Sequence, residues 1–254
     1  MPQFLPRIGL LVVFFTAPFV RAAPVDVLLA AATDAELEPL RTKLVHPQTE
    51  SRAAWQFWLG ELGGHRVVLT RTEGDPLNAV AATTLAIRRY APRLVVVFGG
   101  ARSHDPALRP GDVVVSEKFA AFDGLVSPVL PLDAGCAPLT WYKLPHLLAT
   151  AGEKETPAYF FPADGPALAL AKTLAAPHGR LVGGVLGSAS QVNREADRVA
   201  WLHTEWGTST EDGESAHVAG CAQLLGVPVV GLRVIGGGEG EAAPLVLKLL
   251  EAWK

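Results

Sequence analysis

The feature that most constrains this chain recurs along its length. Short, continuous apolar runs stop in glycine or a polar turn and give way to helical stretches. "VDVLLAAA" (25–32), "RLVVVFGG" (93–100), "GDVVVSEKF" (111–119), "RLVGGVLG" (180–187) and "VPVVGLRVI" (227–235) read as strands buried on both faces, because none alternates between apolar and polar residues. "WQFWLGELGGHRVVLT" (55–70) reads as two strands joined at "LGG". Between these lie helical patterns. "PLNAVAATTLAIRRY" (76–90) opens on Pro76, "PALALAKTLAA" (166–176) and "READRVAWLH" (194–203) follow, and "AHVAGCAQLLG" (216–226) stops at Gly226. The last, "PLVLKLLEAW" (244–253), puts Leu245, Val246, Leu249, Leu250 and Trp253 on one face. Buried strands alternating with helices predict one α/β domain over 23–254, a central mixed β-sheet flanked by helices.

Two segments stand apart. "MPQFLPR", the apolar "IGLLVVFFTAPFV" and "RAAP" follow the order of a secretory signal, with Val20 and Ala22 small where a signal peptidase reads. Residues 1–22 are therefore expected to be removed and the protein exported, to a periplasm or beyond. The stretch from about 120 to 165 is rich in proline and glycine and reads as an irregular surface insertion or a lid. In an oxidising compartment Cys136 and Cys221 could pair, although Cys221 also suits a small buried position in its helix. A net charge of −3 without a basic run leaves no footprint for nucleic acid.

Three polar clusters interrupt this frame. In "AATDAELEPL" (31–40) Thr33 and Glu36 have capping-box spacing, but Pro39 would then lie inside the helix. A helix that opens on Pro39 avoids this cost and leaves Glu36 in the turn above the first strand, where α/β sheets bind ligands. "TSTEDGES" (208–215) gathers Glu211, Asp212 and Glu214 before a helix. A cap uses one or two such acids, and a carboxylate holding two neighbouring sugar hydroxyls is the functional alternative. "LRVIGGGEGE" (232–241) looks like a nucleotide loop, but only 14 residues follow Gly240, too few for the unit such a loop opens.

In this order the pieces resemble the superfamily of nucleoside phosphorylases and 5′-methylthioadenosine/S-adenosylhomocysteine nucleosidases. The resemblance rests on "AAATDAELEPL", on "LNAVAATTLAIRRYAPRLVVVFGGARSHDPALRPGDVVVSE", on "VGGVLGSASQVN" and on "STEDGESAHVAGCAQLLGVPVVGLRVI". It implies cleavage of a purine nucleoside between base and ribose by water, without a cofactor or metal, in a homo-oligomer whose small-molecule ligand is a nucleoside. It further implies that Glu36 activates water, that Glu214 binds the ribose hydroxyls, that Gly213 stands where a methionine usually meets the sugar, and that Val192 lies by the base. Arg102, where a small residue is usual, and Arg71 become candidates for an anion site, which a phosphorylase would need. A nucleoside-binding protein with little catalysis is the other alternative. The family's Ser-Asp pair, whose aspartate protonates the leaving base, is replaced here by Gly236 and Gly237, so Glu239 or Glu241 is left to supply that carboxyl group.

Overall fold

The computed structural model describes residues 23–238 and 240–254. Its main sheet is built from β1 (Val27–Ala31), β2 (Val45–Arg52), β3 (Trp55–Leu62), β4 (His65–Arg71), β5 (Leu94–Ser103) and β6 (Val113–Ala121). The chain then forms β7 (Leu125–Val126), β8 (Tyr142–Lys143), β9 (His146–Leu148), β10 (Thr156–Ala158) and β11 (Phe161–Pro162). The remaining strands are β12 (Leu181–Ser188), β13 (Thr208–Asp212) and β14 (Val229–Ile235). The helices are α1 (Asp34–Arg41), α2 (Pro76–Tyr90), α3 (Gly165–Ala171), α4 (Ala196–Trp206), α5 (Ser215–Leu224) and α6 (Ala243–Ala252).

The sheet runs β11-β6-β12-β13-β5-β1-β4-β3-β2, and β14 pairs with both β5 and β6. That double pairing closes β5, β14, β6, β12 and β13 into a ring. Within it β5 and β14 are parallel, while β13 meets β5 antiparallel, Glu211 opposite Arg102. The carboxyl end of β13 is thereby delivered to the carboxyl end of β5, which is where the polar clusters meet.

Continuous apolar strands need cover on both faces, and they receive it. Alternate residues of β1 face two different cores. Val27, Leu29 and Ala31 pack toward Leu37 of α1 and the Leu245–Leu250 face of α6. Leu28 packs with Ala79 and Ala86 of α2 and Ala216 and Ala219 of α5. The small residues of α2 and α5 let those two helices lie close over the sheet. A third cluster gathers Phe122, Leu202 and Trp206.

The structure corrects four expectations. Helix α1 begins at Asp34 with Thr33 as its cap and holds Pro39 inside, so the capping box forms and the helix does not start at proline. Helix α3 ends at Ala171, earlier than its apolar pattern continues. The 120–165 stretch is not irregular throughout: β9 pairs β10, β7 pairs β8, and β11 adds to β6. "TSTED" is a strand, in which Thr208, Glu211 and Asp212 find polar partners in the interior. Cys136 is exposed and Cys221 buried, and both are free thiols. Among the described residues no helix is long and apolar enough to cross a membrane. The expected signal segment, 1–22, lies outside the described residues.

Leu249 is fully buried under the sheet. Leu249→Ala is expected to cost about 2–5 kcal/mol, the usual range for an interior leucine truncation. Urea unfolding checks this as a lower midpoint with an unchanged slope.

Candidate active site

The centre of the polar region is a residue without any site signal in the sequence. Arg233 stands in the middle of β14, 1% exposed, with apolar neighbours on either side in the chain. It is in register with Gly99 of β5. A Cβ at Gly99 would lie 2.3 Å from Glu36 Oε1 and 2.6 Å from Arg233 Nη1, and the residue's φ of +147° also favours glycine. The missing side chain is what lets the carboxylate and the guanidinium share one space.

Around Arg233 three carboxylates converge from three elements. Its Nη2 donates to Glu214 Oε1 at 2.7 Å, and its Nε lies 3.0 Å from Asp212 Oδ2 and donates to Ser215 Oγ at 2.9 Å. Glu36 comes from the first turn of α1. Its Oε2 accepts from the amides of Ala32 (2.9 Å) and Thr33 (3.2 Å), and its Oε1 accepts from Gly100 N at 2.8 Å. One carboxylate thus completes the capping box of its helix and reaches across to β5.

The three acids of "TSTEDGES" divide their work. Asp212, at the end of β13, braces the entry to α5, accepting from the amides of Glu214 and Ser215 at 2.8 Å each and from the hydroxyls of Ser188 and Ser215 at 2.7 Å. Glu214 is almost wholly enclosed. Burial raises its pKa to about 7, with Asp212 and Glu36 pushing the same way and Arg233 opposing them. Burial works against the charge of Arg233, but Asp212, Glu214 and Glu36 together raise its pKa.

Glu211 faces a second network. Burial favours its neutral form, but donors outweigh burial and lower its pKa to about 2. They are His104 Nε2 at 2.9 Å, Asn193 Nδ2 at 2.8 Å, Asn193 N at 3.0 Å and the guanidinium of Arg102. His104 Nδ1 is in turn held 2.8 Å from Thr208 Oγ1.

The other expected site residues can now be placed. Arg102 belongs to the Glu211 network and Val192 lies beside Asn193, half-exposed. Arg71 is apart from both networks, paired with Asp34 at 2.7 Å and Glu73 at 2.6 Å on the surface. No side chain fits at Gly213, where a Cβ would meet Gly74 O at 1.9 Å. Glu239 lies outside the described residues. Glu241 is described: its carboxylate would be 3.2 Å from a Cβ at Gly237, and Gly237 O would be 3.0 Å from a Cβ at Gly100. A groove of about 510 Å³ lined by Leu148, Tyr159, Phe160 and Leu224 lies at the far end of α5, roughly 15 Å away by helix rise. It is separate from the charged cluster. Among the described residues no group of three or more His, Cys, Asp or Glu side chains is arranged to hold a metal.

A family model described as the phosphorylase superfamily matches residues 26–250, nearly everything from β1 to the end of α6. The chain belongs to the phosphorylase superfamily. Curated relatives in it include the 5′-methylthioadenosine/S-adenosylhomocysteine nucleosidase of Tolumonas auensis, 40% identical over 95 residues, 37% of this chain and 41% of that one. The nucleosidase of Pseudoalteromonas translucida is 36% identical over 98 residues, 39% and 42% of the two chains. The matched stretch thus spans about two fifths of those relatives. The fold is shared with the Neisseria meningitidis nucleosidase in complex with methylthio-immucillin-A (TM-score 0.73, 21% identity, 89% of this chain and 98% of that one). It is also shared with a futalosine hydrolase mutant of Helicobacter pylori (TM-score 0.66, 22% identity, 89% and 93%). The mixed α/β superfamily fold expected from the sequence is therefore the one found.

The buried Glu214 gives a test through pH. Its folded pKa, about 7, lies above the 4.5 of an unperturbed glutamate. The folded state then holds the extra proton between these values, so this group's stabilisation is present at low pH and is lost as pH rises through about 7. Glu214→Gln is expected to shrink the fall in Tm between about pH 5 and pH 8. An unchanged fall would contradict the assignment.

Proposed function

We propose that the protein is a water-dependent N-glycosidase that cleaves the bond between a purine base and ribose. The observation that carries the reading is the meeting of Glu36 and Glu214 on Arg233 at the carboxyl ends of β1, β5 and β14. The relatives' name as nucleosidases supports the same chemistry. Glu36, held by three backbone amides, accepts a proton from water as its oxygen attacks C1′ of the sugar. Glu214, in its ionised form, accepts from the neighbouring ribose hydroxyls and holds the sugar in line. The bond from C1′ to the base breaks with its electron pair on the base, which then needs a proton.

Gly237 has no side chain to supply that proton. Among the described residues Glu241 is the acid within reach, since its carboxylate borders the space that a side chain at position 237 would enter. Gly236 and Gly240, with φ of +57° and +88°, allow the loop to turn back on itself and bring it there. Phosphorolysis is less favoured by the charges: Arg71 is neutralised by Asp34 and Glu73, and Arg102 by Glu211. Neither offers an unpaired cation to phosphate. A binding protein with little catalysis remains the second reading, and its motive is the glycine at 237.

We further propose export with cleavage after Ala22, supported by the charged, apolar and small-residue order of the first 22 residues. Homo-oligomer formation is proposed as well. Its support is the exposed apolar set Val129, Leu130, Leu132, Leu144 and Leu147 in the segment between β6 and α3.

Incubating the protein with methylthioadenosine, adenosylhomocysteine, adenosine and inosine, with and without phosphate, tests the reading through release of free base. Release without phosphate is expected, and Glu36→Gln should lower its rate by about 100-fold or more. Release only with phosphate, or binding without release, would replace this reading by one of the alternatives. Replacing the two loop acids separately locates the proton donor: Glu241→Gln is expected to reduce kcat about tenfold to a hundredfold, and a loss of that size in Glu239→Gln instead would move the role to Glu239.

A further inference from the structure

The Glu211 network has no part in the hydrolytic steps above, yet its buried carboxylate accepts from His104, Asn193 and Arg102. Glu211, His104 and Asn193 are all buried, and every donor among them that faces Glu211 is used. What this core presents outward is Arg102, whose side chain is 49% exposed while its Glu211 partner is 1% exposed. A buried, ionised carboxylate with its other donors already in place acts as a fixed anchor for a guanidinium that would otherwise be mobile.

The position of that anchor relates it to the site. Arg102 follows Gly100 by two residues on β5, and residues two apart in a strand share a face. A Cβ at Gly100 would meet Gly237 O, so Arg102 lies on the side of the strand that faces position 237, next to the leaving base of the proposed reaction. Asn193, which ties into Glu211 through both its backbone and side-chain nitrogen, follows the half-exposed Val192. The network thus presents a fixed fork of N–H donors, its charge balanced by Glu211, with an apolar residue nearby, suited to the edge and the face of a flat heterocycle.

We propose that Arg102 is the base-reading residue and that it selects 6-oxopurines over 6-aminopurines. The inference rests on the N-glycosidase reading of the same site and sharpens its substrate class to inosine- and guanosine-type nucleosides. Guanidinium carries only donors, five of them, in a planar fork. A 6-oxopurine presents two adjacent acceptors, O6 and N7, which match that fork. A 6-aminopurine places an amino donor beside N7, so one arm of the fork meets a donor and loses its bond. The interaction with Glu211 uses one guanidinium nitrogen, Nη2, leaving other donors for the ligand.

Two measurements test this. In base release, the wild-type protein is expected to favour inosine over adenosine in kcat/KM by about tenfold to a hundredfold, the discrimination one bidentate pair supplies. Arg102→Met should collapse that ratio, and Arg102→Lys, which keeps charge but not the fork, should restore only part of it. Retained thermal stability of Arg102→Met separates lost recognition from lost folding. Independently of catalysis, calorimetry with the free bases should show hypoxanthine binding more tightly than adenine to wild type, and equally to Arg102→Met. A wild-type preference for adenosine and adenine, or an Arg102→Met variant that loses both substrates alike, overturns the proposal. If no nucleoside releases base, the N-glycosidase reading fails, while the free-base comparison still decides the role of Arg102.

Discussion

The buried cation of Arg233 organises the polar centre of this molecule. Arg233 lies in the centre of β14 and gathers Glu36 from α1, Asp212 from the end of β13 and Glu214 from the start of α5. Each carboxylate closes a different piece of chain, so the guanidinium couples the helix after β1, the crossing of β13 over β5 and the entry to α5. A buried charge of this kind contributes little net stability by itself, but removing a partner costs about 3–5 kcal/mol because the rest are left uncompensated. The surrounding sequence answers to this constraint. Gly99 is glycine because the carboxylate and the guanidinium fill its side-chain space. Ser215 is a hydroxyl because it must donate to Asp212 and accept from Arg233.

The contrast between Glu211 and Glu214 shows how finely the environment sorts chemically identical groups. They are three residues apart and both buried, yet one pKa falls to about 2 and the other rises to about 7. The difference is the number of donors aimed at each. Glu211 receives bonds from His104, from Asn193 twice and from Arg102, with no acid bonded beside it. Glu214 shares its one guanidinium with Asp212 and Glu36, so three negative charges compete for one positive. Separation of carboxyl pKa values within one site suits permanently ionised structure on one side and an adjustable binding group on the other.

Much of this was legible in the sequence where burial leaves an apolar trace. The continuous runs of β1, β5, β6, β12 and β14 read as strands, and α6 showed its buried face directly. Where the interior is polar that trace disappears. β13 reads as an acidic cap because Thr208, Thr210 and Glu211 are not hydrophobic, although all three are buried. Arg233 is hidden for the opposite reason: one charged residue in "VPVVGLRVI" does not disturb an apolar run, and its partners are remote in sequence. A charged residue at a position that pattern assigns to the core was itself the signal, since such a group must find acids. Glu36 and Glu214 were recognisable by family likeness, but the His104–Asn193–Glu211 network depends on strand register that no local pattern records.

Pro39 explains the loop that remains. As an interior helix residue it cannot donate to the carbonyl of Ala35, which makes a start at proline the cheaper reading of the sequence. The structure accepts that cost, and the proline ring lies beside the 236–241 loop: a Cβ at Gly240 would meet Pro39 Cγ at 2.8 Å and Ala35 O at 3.5 Å. The seat of the loop is therefore the same short helix whose first turn presents Glu36. A proton donor carried on the strand end at position 237 would be aligned by β14 and Arg233. One reached through glycines is aligned instead by α1, so in the proposed reaction the groups assigned to water and to the leaving base would share a single support. Two glycines of the loop then have a physical reason: Gly240 its close approach to Pro39, and Gly237 the room it leaves for the carboxylate of Glu241.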